Sequence, residues 1–128
     1  MSGLLSYFDN DGKAVNVTLT AAVAKGQVVV AQGWVGIAES DGKIGETIAI
    51  AIDDRAYQFT VPAALAVPKG TIVYLILANV TGHTPTDAAY VLAPAAGAVA
   101  FFKAMEAKDA NNVVIGRMLA ANSMAYAS

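Results

Sequence analysis

Two acidic groups in the sequence have the residue types that bind cations or transfer protons. The run Asp9-Asn10-Asp11-Gly12 is similar to the first half of a calcium loop, whose ligands are carboxylate and amide oxygens. The residue six places after Gly12, where such a loop has its bidentate glutamate, is Thr18. The run Asp53-Asp54-Arg55 could form a carboxylate pair for acid–base work. Turn formation is the simpler interpretation of both runs, because tight turns select Asp, Asn and Gly.

His83 is the only histidine, and Asp87 lies four residues after it. The two residues could belong to a Ser-His-Asp arrangement, but the sequence contains no Gly-x-Ser-x-Gly nucleophile elbow. Because Gly, Thr and Pro surround His83, we expect a solvated histidine in a loop.

Two Gly-Lys pairs are the nearest approach to a phosphate-binding loop. That loop requires Ser or Thr directly after the lysine, whereas Gly12-Lys13 precedes Ala14 and Gly42-Lys43 precedes Ile44. We therefore predict that the protein is not an enzyme and has no catalytic residue, no metal site and no cofactor.

Turn residues divide the chain into short segments with the apolar alternation of β-strands. Gln32-Gly33 separates two apolar runs, and Asp53-Asp54-Arg55 separates two alternating runs that we expect to form a hairpin. The predicted strands cover residues 15–20, 27–31, 34–38, 46–52, 57–61, 71–78, 98–105 and 112–120. We predict an all-β fold, a small β-barrel or β-sandwich, with at most one or two short helical turns, one of them near 62–67. The expected organisation is an N-terminal arm (1–12), a β domain (13–121) and a C-terminal tail (122–128), with 79–87 as a loop.

A short motif occurs twice, each time directly before a predicted strand. Val23-Ala24-Lys25-Gly26 precedes the run that starts at Gln27, and Val67-Pro68-Lys69-Gly70 precedes the run that starts at Thr71. Glycine supplies the backbone angle that a turn needs, so the motif predicts a turn that leads into a strand. Gly36 and Gly116, which lie inside apolar runs, predict a bulge or bend.

The composition favours a protein that covers part of its surface with a partner. Hydrophobic residues make up 56% of the chain and charged residues 14%, against about 45–50% and about 25% in typical domains. The net charge is −2 and no cluster of Lys or Arg occurs, so we expect no nucleic-acid partner. The apolar stretch 88–102 contains Pro94 and is shorter than the roughly 18–20 residues that cross a bilayer, so we expect no membrane partner. The absence of cysteine excludes disulfides and thiolate chemistry.

The order of these elements resembles the small capsid decoration, or cement, proteins of tailed bacteriophages. The similarity covers roughly residues 14–121, and its most characteristic parts are 45–52, Tyr57-Gln58-Phe59-Thr60-Val61-Pro62 and the second Lys-Gly strand, which includes Tyr74. The region 90–102 is longer and more apolar than in that pattern.

The resemblance implies a structural virion protein that is made in the host cytoplasm and binds the outer surface of the capsid. Its expected partners are the major capsid protein, whose subunits it would bridge, and copies of itself, as a trimer or otherwise a dimer. The expected interface residues are Leu4, Leu5, Tyr7 and Phe8 of the arm, together with Trp34, for which a place in the core is the alternative. Another virion component, such as a head-fibre base or a tail-associated β domain, and a small ligand-binding β-barrel are the other hypotheses.

Overall fold

The computed structural model describes residues 14–53 and 55–119, and the all-β prediction is confirmed. These residues contain eleven strands and one short 3₁₀ helix. The strands are β1 (Ala14–Thr18), β2 (Val28–Ala31), β3 (Trp34–Ala38), β4 (Thr47–Ala51), β5 (Ala56–Thr60), β6 (Ile72–Ile76), β7 (Val80–Thr81), β8 (Thr84–Pro85), β9 (Tyr90–Val91), β10 (Ala98–Ala104) and β11 (Val113–Met118). No helix within the described ranges has the length and apolarity needed to cross a lipid bilayer.

The strands form two main sheets from consecutive halves of the chain. The first sheet has the order β1-β4-β3-β2 and the second has the order β5-β11-β10-β6-β9, with antiparallel pairing throughout. The sheets do not close into a barrel within the described ranges, and the arrangement fits a β-sandwich. The predicted hairpin of residues 46–52 with 57–61 is wrong, because β4 belongs to the first sheet and β5 pairs with β11 in the second. The turn around Asp53 carries the chain from one sheet to the other.

The repeated Lys-Gly motif forms the turn that the sequence predicts. In both copies the glycine has a positive φ, 85° at Gly26 and 87° at Gly70, and the amide after it donates to a carbonyl three residues back. This is the geometry of a type II turn, which requires φ > 0 at its third position. The amide of each glycine also donates to the last residue of a neighbouring strand, Ala38 or Ala104, so each turn is fixed to its sheet.

The main core lies between the two sheets. The first sheet contributes Val35, Ile37 and Ala51, and the second contributes most of the remaining buried side chains. Its centre is an aromatic group, in which the ring of Phe59 stacks on Phe102 at 4.0 Å and meets the edge of Phe101 at 5.2 Å between centroids. Phe101 and Phe102 are adjacent in sequence, and both are buried because the register of β10 with β6 shifts between Ala100 and Phe102.

A second apolar cluster covers the opposite face of the first sheet. It combines alternate residues of the strands with Leu19 and Val23, which lie between β1 and β2. An isolated bridge between Val23 and Gly42 fixes this connecting segment to the β3–β4 connection. β2 and β3 therefore contact an apolar cluster on each face, which agrees with their nearly continuous apolar runs. Asn16 and Thr18 of β1 and Thr47 of β4 are exposed.

Gly36 and Gly116 mark close contacts instead of the predicted bulge or bend. A Cβ at Gly36 would lie 2.5 Å from the carbonyl oxygen of Ala51, and one at Gly116 would lie 2.5 Å from Cδ1 of Phe102. Both glycines pair regularly with the neighbouring strand. Their role is to leave room for a neighbouring strand or ring.

One short 3₁₀ helix agrees with the prediction of at most one or two helical turns, whereas the region predicted as a loop and the helical turn predicted near 62–67 differ from the structure. Residues 79–87 contain the hairpin of β7 and β8. The 3₁₀ helix is Asp87–Ala89, and residues 62–67 contain a β-turn in place of a helical turn, closed by the Leu65 amide on the Pro62 carbonyl.

The raised pKa of Tyr90 predicts that the stability of the protein has an alkaline limit. Burial, followed by the charge of Asp87, raises the pKa of Tyr90 from 10.0 to about 12. A pKa that is higher in the folded than in the unfolded chain gives stability that is complete below pH 10 and is lost as the pH rises towards 12. Between pH 10 and pH 12, the free energy of unfolding should fall by about 1–3 kcal/mol less in Tyr90→Phe than in the wild type. Urea unfolding of both proteins at each pH measures this difference. Equal losses would show that Tyr90 does not cause the alkaline limit.

Candidate interaction surface

His83 is a structural residue of the β7–β8 hairpin, so the prediction of a solvated loop histidine is wrong. The amide of Thr20 donates to Nε2 over 2.9 Å, which leaves the ring proton on Nδ1, and Nδ1 donates to the carbonyl of Val30 over 3.0 Å. The backbone carbonyl of His83 accepts from the Val30 amide over 2.8 Å. The hairpin therefore pairs with β2, an edge strand of the first sheet, and covers that edge.

Removal of the His83 ring is expected to loosen this attachment. We predict that His83→Ala lowers the free energy of unfolding by about 1–3 kcal/mol, because the Thr20 amide and the Val30 carbonyl each lose a partner. Hydrogen exchange of the Thr20 amide should become faster in the variant. Exchange at the wild-type rate would contradict the assigned role.

In the acidic turn after β4, Asp53 belongs to a cluster of polar side chains. Asp53 forms an ion pair with Arg55 at 2.5 Å and accepts the hydroxyl of Tyr57, also at 2.5 Å. Burial, followed by the hydrogen bond to Asp53, raises the pKa of Tyr57 from 10.0 to about 12. Asp54 lies outside the described residues. The cluster stabilises the crossing between the two sheets.

Within residues 14–53 and 55–119, no group of three or more His, Asp or Glu side chains is placed to hold a metal ion. The calcium-like run Asp9-Asn10-Asp11-Gly12 lies outside these ranges.

Of the predicted interface residues, only Trp34 falls within the described ranges. It begins β3, is half-buried and packs against the second apolar cluster. Its ring therefore contributes to the core and keeps part of its surface accessible. Leu4, Leu5, Tyr7 and Phe8 lie outside the described residues, as does the predicted tail 122–128.

The second sheet has an apolar outer face that the sequence analysis did not identify. The register places Lys103 opposite Ile72 and Arg117, and the alternation of each strand then defines which residues share this face. We call it the outer sheet face. Its large apolar residues are Ile72, Tyr74, Ile76, Val91, Val113 and Ile115.

These apolar residues take no part in either buried cluster. Ile115 is 42% exposed, and the other five are partly exposed. Neither cluster includes any of them among its buried or packed members. The outer sheet face is therefore accessible apolar surface on a rigid sheet, which is typical of interaction sites.

The sequence contained only part of the signal for this face. Alternation in Ile72-Val73-Tyr74-Leu75-Ile76 is absent, because both faces of β6 are apolar. Such a run predicts a strand buried on both sides, and only the pairing of distant strands shows that one side has no covering layer among the described residues.

The model of a family described as phage cement protein matches residues 10–119. No curated protein and no solved structure matches the chain.

Proposed function

Because the chain belongs to the phage cement protein family, we propose that it binds the outer surface of an assembled phage head and bridges neighbouring major capsid subunits. The family match over residues 10–119 is the observation that carries this proposal. Membership indicates a structural, capsid-associated protein of the virion. A binding role of this kind requires a stable scaffold and accessible apolar surface, and it requires no catalytic step.

The fold is consistent with a protein that stabilises the phage head by binding to its surface. Two sheets packed around the Phe59, Phe101 and Phe102 rings form a rigid body, and the hairpin with His83 covers one sheet edge against unspecific strand pairing. Many copies on one shell would convert a modest affinity at each site into a large total stabilisation.

Heat-induced rupture of heads tests this function. Purified protein is added to isolated expanded heads that lack it, and DNA release is followed by dye fluorescence during heating. We expect the rupture temperature to rise and to reach a plateau as the protein concentration increases. A rupture temperature that stays constant at saturating protein would refute the proposed role.

We further propose that the protein acts as a trimer, with a dimer as the alternative. The apolar composition favours burial of surface between copies, since 56% of the residues are hydrophobic. Light scattering of the purified protein should give three times, or otherwise twice, the chain mass of 13.1 kDa. A mass equal to that of one chain would contradict the proposed self-association.

The N-terminal arm is proposed as a second contact with the shell. Binding of the arm to the shell would bury the apolar side chains of Leu4, Leu5, Tyr7 and Phe8. Deletion of residues 1–12 should weaken head binding and leave the unfolding curve of the β domain unchanged. Unchanged head binding would exclude the arm as a contact.

A further inference from the structure

The outer sheet face combines apolar residues with a pair of cations. Lys103 on β10 and Arg117 on β11 are direct cross-strand partners, so two positive side chains stand next to each other on the same face. Like charges in this position destabilise a sheet. Both residues are exposed, and Ile115 lies two residues before Arg117 on the same face.

Within residues 14–53 and 55–119, no acidic residue occupies an outward strand position of the outer sheet face. Its outward strand positions, besides the large apolar residues and the two cations, are Ala56, Gln58, Thr60, Ala98 and Ala100. Arg117 makes an interaction of its own, so the charge argument depends on Lys103, for which no ion pair is present within residues 14–53 and 55–119. The acidic residues within residues 14–53 and 55–119 lie at other positions, and the net charge of the chain is −2. Lys103 therefore gives the face an exposed positive charge on a protein that is acidic as a whole.

We propose that the outer sheet face is the docking surface for the capsid shell, and that it binds an apolar patch of the major capsid protein that is bordered by carboxylates. This inference rests on the proposed function. Apolar contact would supply most of the affinity, and a shell carboxylate beside Lys103 would supply orientation. In a dimer whose copies presented this face to each other, the contact would gain a second Lys103 and no carboxylate from the outward strand positions, which disfavours that contact. A trimer contact joins two different surfaces, and the light-scattering mass of the face variants tests it.

Two substitutions on this face test the proposal against matched controls on the other sheet. Lys103→Glu reverses the charge, and Ile115→Asp puts a carboxylate into the apolar area. Lys25→Glu and Ile44→Asp make the same changes at exposed turn positions of the first sheet, where Ile44 is 73% exposed. The dissociation constant for isolated heads is measured by co-sedimentation at two salt concentrations, together with the unfolding midpoint and the light-scattering mass of each variant.

We expect Lys103→Glu and Ile115→Asp each to weaken head binding at least tenfold, with masses equal to that of the wild type and with unfolding midpoints that stay well above the temperature of the binding assay. The controls should bind within about twofold of the wild type. Wild-type binding should weaken as salt rises, and Lys103→Glu should reduce that salt dependence.

Four results would overturn the proposed docking surface. Binding of both face variants at the wild-type level would show that the shell contacts another surface, while the proposed function would stand. Dissociation of either variant into smaller species would assign the face to contacts between copies. If Lys25→Glu and Ile44→Asp weakened head binding as much as the face variants, the loss would be a general effect of the changed net charge. If the wild type itself fails to bind heads, the proposed function fails, and this inference fails with it.

Discussion

Replacement of Phe102 by alanine is expected to lower the free energy of unfolding by about 3–5 kcal/mol. The Phe102 side chain is fully buried, stacks on Phe59 at 4.0 Å and meets the edge of Phe101 at 5.5 Å. Its removal would leave a cavity between the two sheets that the neighbouring rings can fill only in part. Since domains of this size have about 5–15 kcal/mol of stability, the loss would be a large fraction of the total. Urea unfolding followed by circular dichroism measures it.

Ile115→Ala is the control for this change. Ile115 lies on the neighbouring strand but on the outer face, where it is 42% exposed. Its truncation should cost less than about 1 kcal/mol, because little packing is lost. If both variants lost the same stability, the assignment of the two faces of the second sheet would be wrong.

Gly36→Ala is expected to cost about 1–3 kcal/mol, although it adds a single methyl group. The new Cβ would lie 2.5 Å from the carbonyl oxygen of Ala51 and 3.2 Å from the Ile50 side chain. The oxygen belongs to the backbone of β4, so relief of the clash requires the two strands to separate. Thermal unfolding should show a decrease in Tm of several degrees.

Gly33→Ala distinguishes this steric effect from the effect of the backbone angle. A Cβ at Gly33 meets nothing within 4 Å, but its φ is 85° in the turn between β2 and β3. The substitution should cost about 1 kcal/mol through conformation alone. A larger loss at Gly33 than at Gly36 would contradict the close approach of β3 and β4.

The local features of the fold were predictable from the sequence, and the long-range pairings were not. The two Lys-Gly turns and the turn at Gln32-Gly33 depend on a few adjacent residues, because a glycine with positive φ defines the turn. Asp53-Asp54-Arg55 has equally good turn residues, yet the chain there crosses to the other sheet. Whether a turn reverses a strand or changes sheets depends on pairing with residues far along the chain, such as Phe59 with Val114.

The residues that could take part in chemistry show the same difference between local and long-range features. Simple turn formation was the preferred interpretation of the Asp53 region, and the structure adds an ion pair to Arg55 and a hydrogen bond from Tyr57. The partners of His83 are Thr20 and Val30, which lie 63 and 53 residues away, so no local pattern could identify them. The outer sheet face likewise exists only because β10 and β11 pair in a register that aligns Lys103 with Arg117.

The location of the protein on the phage head is the most direct test of its role. Electron cryomicroscopy of heads saturated with the purified protein, compared with heads that lack it, gives a difference density. The proposed function predicts density on the outer surface over the junctions between major capsid subunits, repeated with the symmetry of the shell. Density confined to the tail, the tail vertex or a fibre attachment point, or the absence of any difference density, would contradict it.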